Sequence, residues 1–103
     1  MEIANTTLKQ TLGLMFRKNG EILFIFGRRS SYSIWTPFMR FNIDVFFFDK
    51  DLKLVDKKKG MKPWRFYKPK EEYLYSFECE EGKYTEKQVL KKIKTEIICS
   101  SKT

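Results

Sequence analysis

The sequence contains no histidine and only two cysteines. Without histidine the chain builds neither a Ser-His-Asp triad nor a Cys-His dyad, and it supplies no imidazole to a metal. Cys79 and Cys99 lie far apart and form no CxxC pair, and two thiolates do not complete a tetrahedral zinc site. They are expected to be reduced structural residues, with no metal and no cofactor. No uninterrupted apolar run approaches the roughly 20 residues of a membrane helix. The first ten residues carry neither a basic region nor an apolar core of the signal-peptide kind, so the expected location is the cytoplasm, away from membranes.

What is present is ample core material. Of 103 residues, 42% are hydrophobic and ten are phenylalanine, which excludes a disordered composition. A chain this long is expected to form one domain, 1–103, removing about two-thirds of the unfolded surface from water. Lysine and arginine number 21 against 13 acids, a formal charge of +8, which favours anionic partners such as a polyanion or an acidic protein. The same excess also serves solubility.

The local pattern is mostly that of strands. Thr7 and Gln10 fit a capping box, with Leu8, Leu12 and Met15 at helical spacing behind it, so a short N-terminal helix is expected. Asn19-Gly20 is a strong turn signal before the apolar run Glu21 to Phe26, and Gly27 to Ser31 reads as a polar loop. Tyr32 to Thr36 reads as a strand stopped by Pro37. Ile43 to Phe48 is apolar on both faces, the mark of an interior strand, and Asp49 to Asp51 turns it into a return over Leu52 to Val55.

Lys57 to Lys70 carries seven basic residues and no acid, with Pro63 and Pro69 bracketing Trp64, Phe66 and Tyr67. Proline keeps such a segment out of a sheet's interior, so it is expected at an edge. Tyr73 to Cys79 alternates, with Tyr73, Tyr75 and Phe77 on one face. Thr85 and Gln88 form a second capping box ahead of Val89, Leu90 and Ile93. Whether residues 93–99 continue this helix or form a last strand is left open by periodicity. The expected fold is mainly β: a small β-sandwich or barrel with a short helix at each end.

Several strings resemble one family. Gly13-Leu14-Met15-Phe16-Arg17, the strand Leu23 to Phe26, the stretch Phe38 to Asp49 and Lys62-Pro63-Trp64-Arg65-Phe66 are similar, in order and spacing, to segments of the family known as domain of unknown function 192. The match covers about residues 12–80, within a family-like core of about 8–98. The resemblance implies a compact β-rich fold with a short N-terminal helix and no established activity, so it carries over no catalytic residues. Asn42 stands where the family usually has proline. Many family members follow a secretory signal or lipid anchor, a feature not seen in this sequence.

Three sets of residues are candidates for function. Asp44 lies between apolar Ile43 and Val45, and a carboxylate there must be paired. It is either a structural acid paired with Arg17, Arg40 or Arg65, or a tuned acid in a cleft with Trp35, Arg40 and Arg65. The second set is the basic segment with Lys62, Trp64 and Arg65, whose cations and rings are what single-stranded nucleic acid requires. Against that stands a solvated lysine loop whose Trp64 and Phe66 turn inward as core. Trp35 is either a core ring or the edge of a binding surface. The favoured reading is a non-catalytic binding module with a basic face. The alternatives are a small-ligand protein or enzyme using the Trp35, Arg40, Asp44 and Arg65 cleft, and an interaction domain working through a sheet edge. Oligomeric state is not legible.

Overall fold

The computed structural model describes residues 2–4, 21–30, 33–36 and 39–101. The expected N-terminal helix with its Thr7–Gln10 box, the Asn19-Gly20 turn and Arg17 lie outside them. In chain order the strands are β1 (Glu2–Ala4), β2 (Glu21–Ser30), β3 (Ile34–Trp35), β4 (Ile43–Phe48), β5 (Leu54–Met61), β6 (Phe66–Tyr67) and β7 (Tyr73–Glu80), followed by helix α1 (Glu86–Ser101). Five strands form one sheet in the order β1-β2-β7-β4-β5, and β3 with β6 forms a separate two-stranded ribbon. All pairings are antiparallel except the parallel β1–β2 contact. The five-stranded sheet ends in β1 on one side and β5 on the other, so no closed barrel forms among the described residues, contrary to that part of the expectation.

Alternation along the strands sorts the core into two layers. Ile22, Phe24, Ile43, Val45, Phe47, Met61 and Tyr73 cluster on one face, with Ile34 and Tyr67 of the ribbon packed against them. Leu23, Phe46, Phe48, Phe77 and Cys79 cluster on the other with Val89 and Ile93 of α1. These are the ribbon face and the helix face. β4 is buried along its whole length because β7 and β5 flank it and both faces are covered.

Helix α1 begins as its sequence indicates. The Gln88 side chain accepts from the Thr85 N–H at 2.8 Å, and Thr85 Oγ1 accepts from the Gln88 N–H at 3.3 Å, which is a capping box. The helix continues to Ser101, so residues 93–99 are helical. β2 runs on through Ser30 where a loop was expected, after a register shift between Ile25 and Ser30 against β7. That irregularity separates Tyr73 from Tyr75 and Phe77: Tyr73 packs on the ribbon face, edge-on to Phe47, while Tyr75 and Phe77 belong to the helix face.

Candidate functional site, a basic and aromatic ribbon face

Asp44 is fully buried, and its position opposite Cys79 puts it on the helix face, away from the ribbon. Its Oδ1 accepts from the Gly60 N–H at 2.8 Å and its Oδ2 from the Gly82 N–H at 2.9 Å. Lys59 Nζ lies 2.8 Å from the same Oδ2. Both glycines take left-handed backbone, φ +64° and +74°, so one carboxylate pins the irregular end of β5 and the turn after β7 at positions that side chains would strain. Burial alone would raise the Asp44 carboxyl, but the Lys59 ammonium and the two backbone donors overcome it and hold it below the usual range. Among the described residues the cation paired with Asp44 is therefore Lys59, rather than Arg40 or Arg65. With both oxygens occupied, this geometry is that of a structural clamp. Asn42 reinforces the same corner: its carbonyl accepts from the Glu81 N–H at 3.0 Å.

The basic segment divides along the alternation of β5. Lys57 and Lys59 project to the helix face, where Lys57 pairs with Glu86 of α1 and Lys59 with Asp44. Lys58 projects to the ribbon face, its Nζ 5.8 Å from the centre of the Tyr67 ring. Lys62 and Arg65 follow in the connection to β6, both exposed. Lys58, Lys62 and Arg65 make no ion pair among the described residues. Together with Gly60, Met61 and Phe66 they line a cleft of about 280 Å³.

The rings beside these cations face solvent. Trp35 is 52% exposed, Trp64 53% and Phe66 70%, so the expectation of an inward Trp64 and Phe66 does not hold. Trp35 and Phe66 are cross-strand partners in the ribbon, stacked 5.2 Å apart and parallel within 2°. Arg40 is also exposed, after the buried Met39. The structure thus brings together Trp35, Lys62, Trp64 and Arg65 with Lys58 and Phe66, and it leaves Asp44 on the other face of the sheet.

Two residues not singled out from the sequence hold this surface. Thr36 is 2% exposed, and its Oγ1 accepts from the Arg65 N–H at 3.0 Å while donating to the Lys62 carbonyl at 2.9 Å. Its backbone adds a bond to each side: the Thr36 N–H donates to the Arg65 carbonyl, and the Thr36 carbonyl accepts from the Trp64 N–H at 2.7 Å. These bonds surround Trp64, which sits at φ +60°, a conformation uncommon for so large a side chain. Asp56 anchors the other end. Its Oδ2 accepts from the Tyr67 hydroxyl at 2.6 Å and from the Lys70 N–H at 2.9 Å. The Asp56 bond, with some burial, pushes the Tyr67 hydroxyl up to about 12. The only sequence signal for either anchor is chemical: a lone Thr before Pro37 and a lone acid before three lysines.

Few reactive side chains are set apart by their surroundings among the described residues. Burial pushes the Cys79 thiol up to about 12, which leaves it an inert core residue at neutral pH. No group of three or more potential metal ligands occurs among the described residues, and no described helix is long and apolar enough to cross a membrane. On β7, Glu78 is 7% exposed between Ile22 and Val45, and burial pushes it up to about 7. The Ser76 hydroxyl, also buried, makes no hydrogen bond among the described residues.

Comparison with known proteins agrees with the motifs. Curated proteins named UPF0127 protein from Pyrococcus horikoshii and Pyrococcus furiosus are 39% and 38% identical over 85 residues, which is 80% of this chain and 73% and 72% of theirs. The fold matches a solved protein of unknown function from Novosphingobium aromaticivorans with a TM-score of 0.73 at 21% identity, over 79% of this chain and 62% of that one. A structure from Sinorhizobium meliloti matches with a TM-score of 0.74 at 22% identity, over 79% of this chain and 67% of that one. The model of domain of unknown function 192, described as Uncharacterized ACR, matches residues 1–96, and the chain belongs to that uncharacterised family.

Proposed function

We propose that the protein is a non-catalytic binding module whose ribbon face takes an anionic partner. The observation that carries this reading is the coincidence of three rings more than half exposed with Lys58, Lys62 and Arg65, cations that make no ion pair among the described residues. A cluster of exposed rings beside unpaired cations is the composition of a surface that a partner with both flat apolar groups and negative charge would cover. The hydrogen bonds of Thr36 fix the connection carrying Lys62, Trp64 and Arg65 before any partner arrives, and preorganisation of that kind favours affinity. The whole of residues 1–103 acts as one binding domain in this reading. A cleft enzyme built on Asp44 is disfavoured because both Asp44 oxygens are engaged by Gly60, Gly82 and Lys59.

The test is binding of a fluorescein-labelled heparin fragment, followed by anisotropy at two salt concentrations. The expected result is micromolar or tighter binding that weakens with salt and is lost in a Lys58→Glu, Lys62→Glu, Arg65→Glu variant of unchanged melting temperature. Exposed charges contribute little to folding, so that variant remains folded. Binding that ignores salt, or that survives the triple reversal, contradicts the proposal.

A further inference from the structure

We infer that the anionic partner is a single-stranded nucleic acid whose bases extend the Trp35–Phe66 stack. This inference rests on the proposed role of the ribbon face and specifies its ligand. Trp35 and Phe66 lie parallel within 2° at 5.2 Å, and they are 52% and 70% exposed. Such a pair is a short column open to solvent. A flat base adds to a column by lying on a ring face, whereas an acidic peptide brings carboxylates for the cations but no ring to continue the stack. Trp64, at φ +60° in the connection that Thr36 ties down, is a third ring more than half exposed, two residues before Phe66.

The cations stand where a phosphodiester backbone would run. Lys58, Lys62 and Arg65 line the cleft that Phe66 borders, so a strand with a base on Phe66 carries its phosphates past them. A duplex does not satisfy this arrangement, because its bases are already stacked on one another and offer no free face. The sequence preference is expected to be weak: stacking accepts any base.

The discriminating experiment compares two labelled strands of equal length and equal charge, a twelve-nucleotide thymidine strand and the same phosphodiester chain made abasic. The strand comparison itself uses the wild-type protein. The thymidine strand should bind at least fivefold more tightly, the lower end for one stacked base. Its log affinity should fall against log salt with a slope on the order of 2, from about 0.7 for each of three neutralised phosphates. The only two tryptophans of the chain are Trp35 and Trp64, so intrinsic fluorescence should be quenched by the thymidine strand and much less by the abasic one. A Phe66→Leu variant, which keeps an apolar side chain at an exposed position, should lower affinity for the thymidine strand and leave the abasic strand unchanged. Equal affinity for the two strands overturns the inference while leaving an anion-binding face in place. Tighter binding of a poly-glutamate peptide than of the thymidine strand also overturns it, in favour of an acidic protein. If neither strand nor heparin binds at micromolar protein in low salt, the inference and the proposed function fall together.

Discussion

Replacing Glu78 with glutamine should change how stability depends on pH, and the effect can be worked from the position of that carboxyl. Glu78 is 7% exposed on the central strand, with Ile22 and Val45 as its neighbours across the sheet. Burial raises it from an ordinary value of 4.5 to about 7. Below pH 4.5 the carboxyl is protonated in folded and unfolded chains alike and costs nothing extra. Between 4.5 and 7 the unfolded chain releases its proton while the folded one keeps it, so stability falls as pH rises. Above 7 the loss is complete. At about 1.4 kcal/mol per pH unit it amounts to on the order of 3 kcal/mol, a large share of a small domain's stability. Asp44, Asp56 and Glu21 act in the opposite sense, since each is held below the usual range, but their contributions vanish only at more acid pH. The chain has no histidine, so no imidazole titration overlays the window between pH 5 and 7. Urea unfolding followed by tryptophan fluorescence at pH 5, 6, 7 and 8 measures this directly. Wild-type stability should decline across the series, and Glu78→Gln should hold level, overtaking the wild type by pH 8. A wild type that is flat or gains stability from pH 5 to 7, or a Glu78→Gln variant displaced equally at every pH, would refute the reasoning.

Three further substitutions test other parts of the account. Asp44→Asn places an amide NH₂ against one of the two glycine N–H donors, and leaving such a donor unsatisfied costs about 1–3 kcal/mol, read as a lowered urea midpoint. The exposed Lys59 remains solvated, so no larger loss is expected; full stability in Asp44→Asn would contradict the clamp. Phe47→Ala empties a fully buried site between Tyr67 and Tyr73 and should cost about 3–5 kcal/mol by the same assay. Thr36→Val keeps the shape but removes the hydroxyl that holds Lys62 and Arg65, and it should weaken oligonucleotide binding more than Arg40→Ala does, measured by anisotropy.

Interior β4 was legible because its residues are apolar on both faces, and Ile43–Phe48 is where the strand lies. The Thr85–Gln88 box was legible because capping is local chemistry, complete within four residues. What the sequence did not convey depends on partners distant along the chain. The seven cations from Lys57 to Lys70 form no single patch, because strand alternation sends Lys57 and Lys59 to acids on the helix face and Lys58 to the ribbon. The period of two was available, but the extension of β5 to Met61 was not anticipated. The β2–β7 irregularity that turns Tyr73 to the ribbon face likewise leaves no trace in simple alternation. Trp64 and Phe66 look like core by composition. The ribbon instead packs on the core through Ile34 and Tyr67, and Trp64 and Phe66 are left outside.

The ribbon face as the binding surface is tested most directly by amide and indole NMR shifts of the protein on addition of the thymidine strand. The expected result is a set of shifts confined to the Trp35 and Trp64 indoles and the backbone of residues 58–66, with α1 unmoved. Shifts centred on α1, or no shifts at saturating strand, would contradict the account.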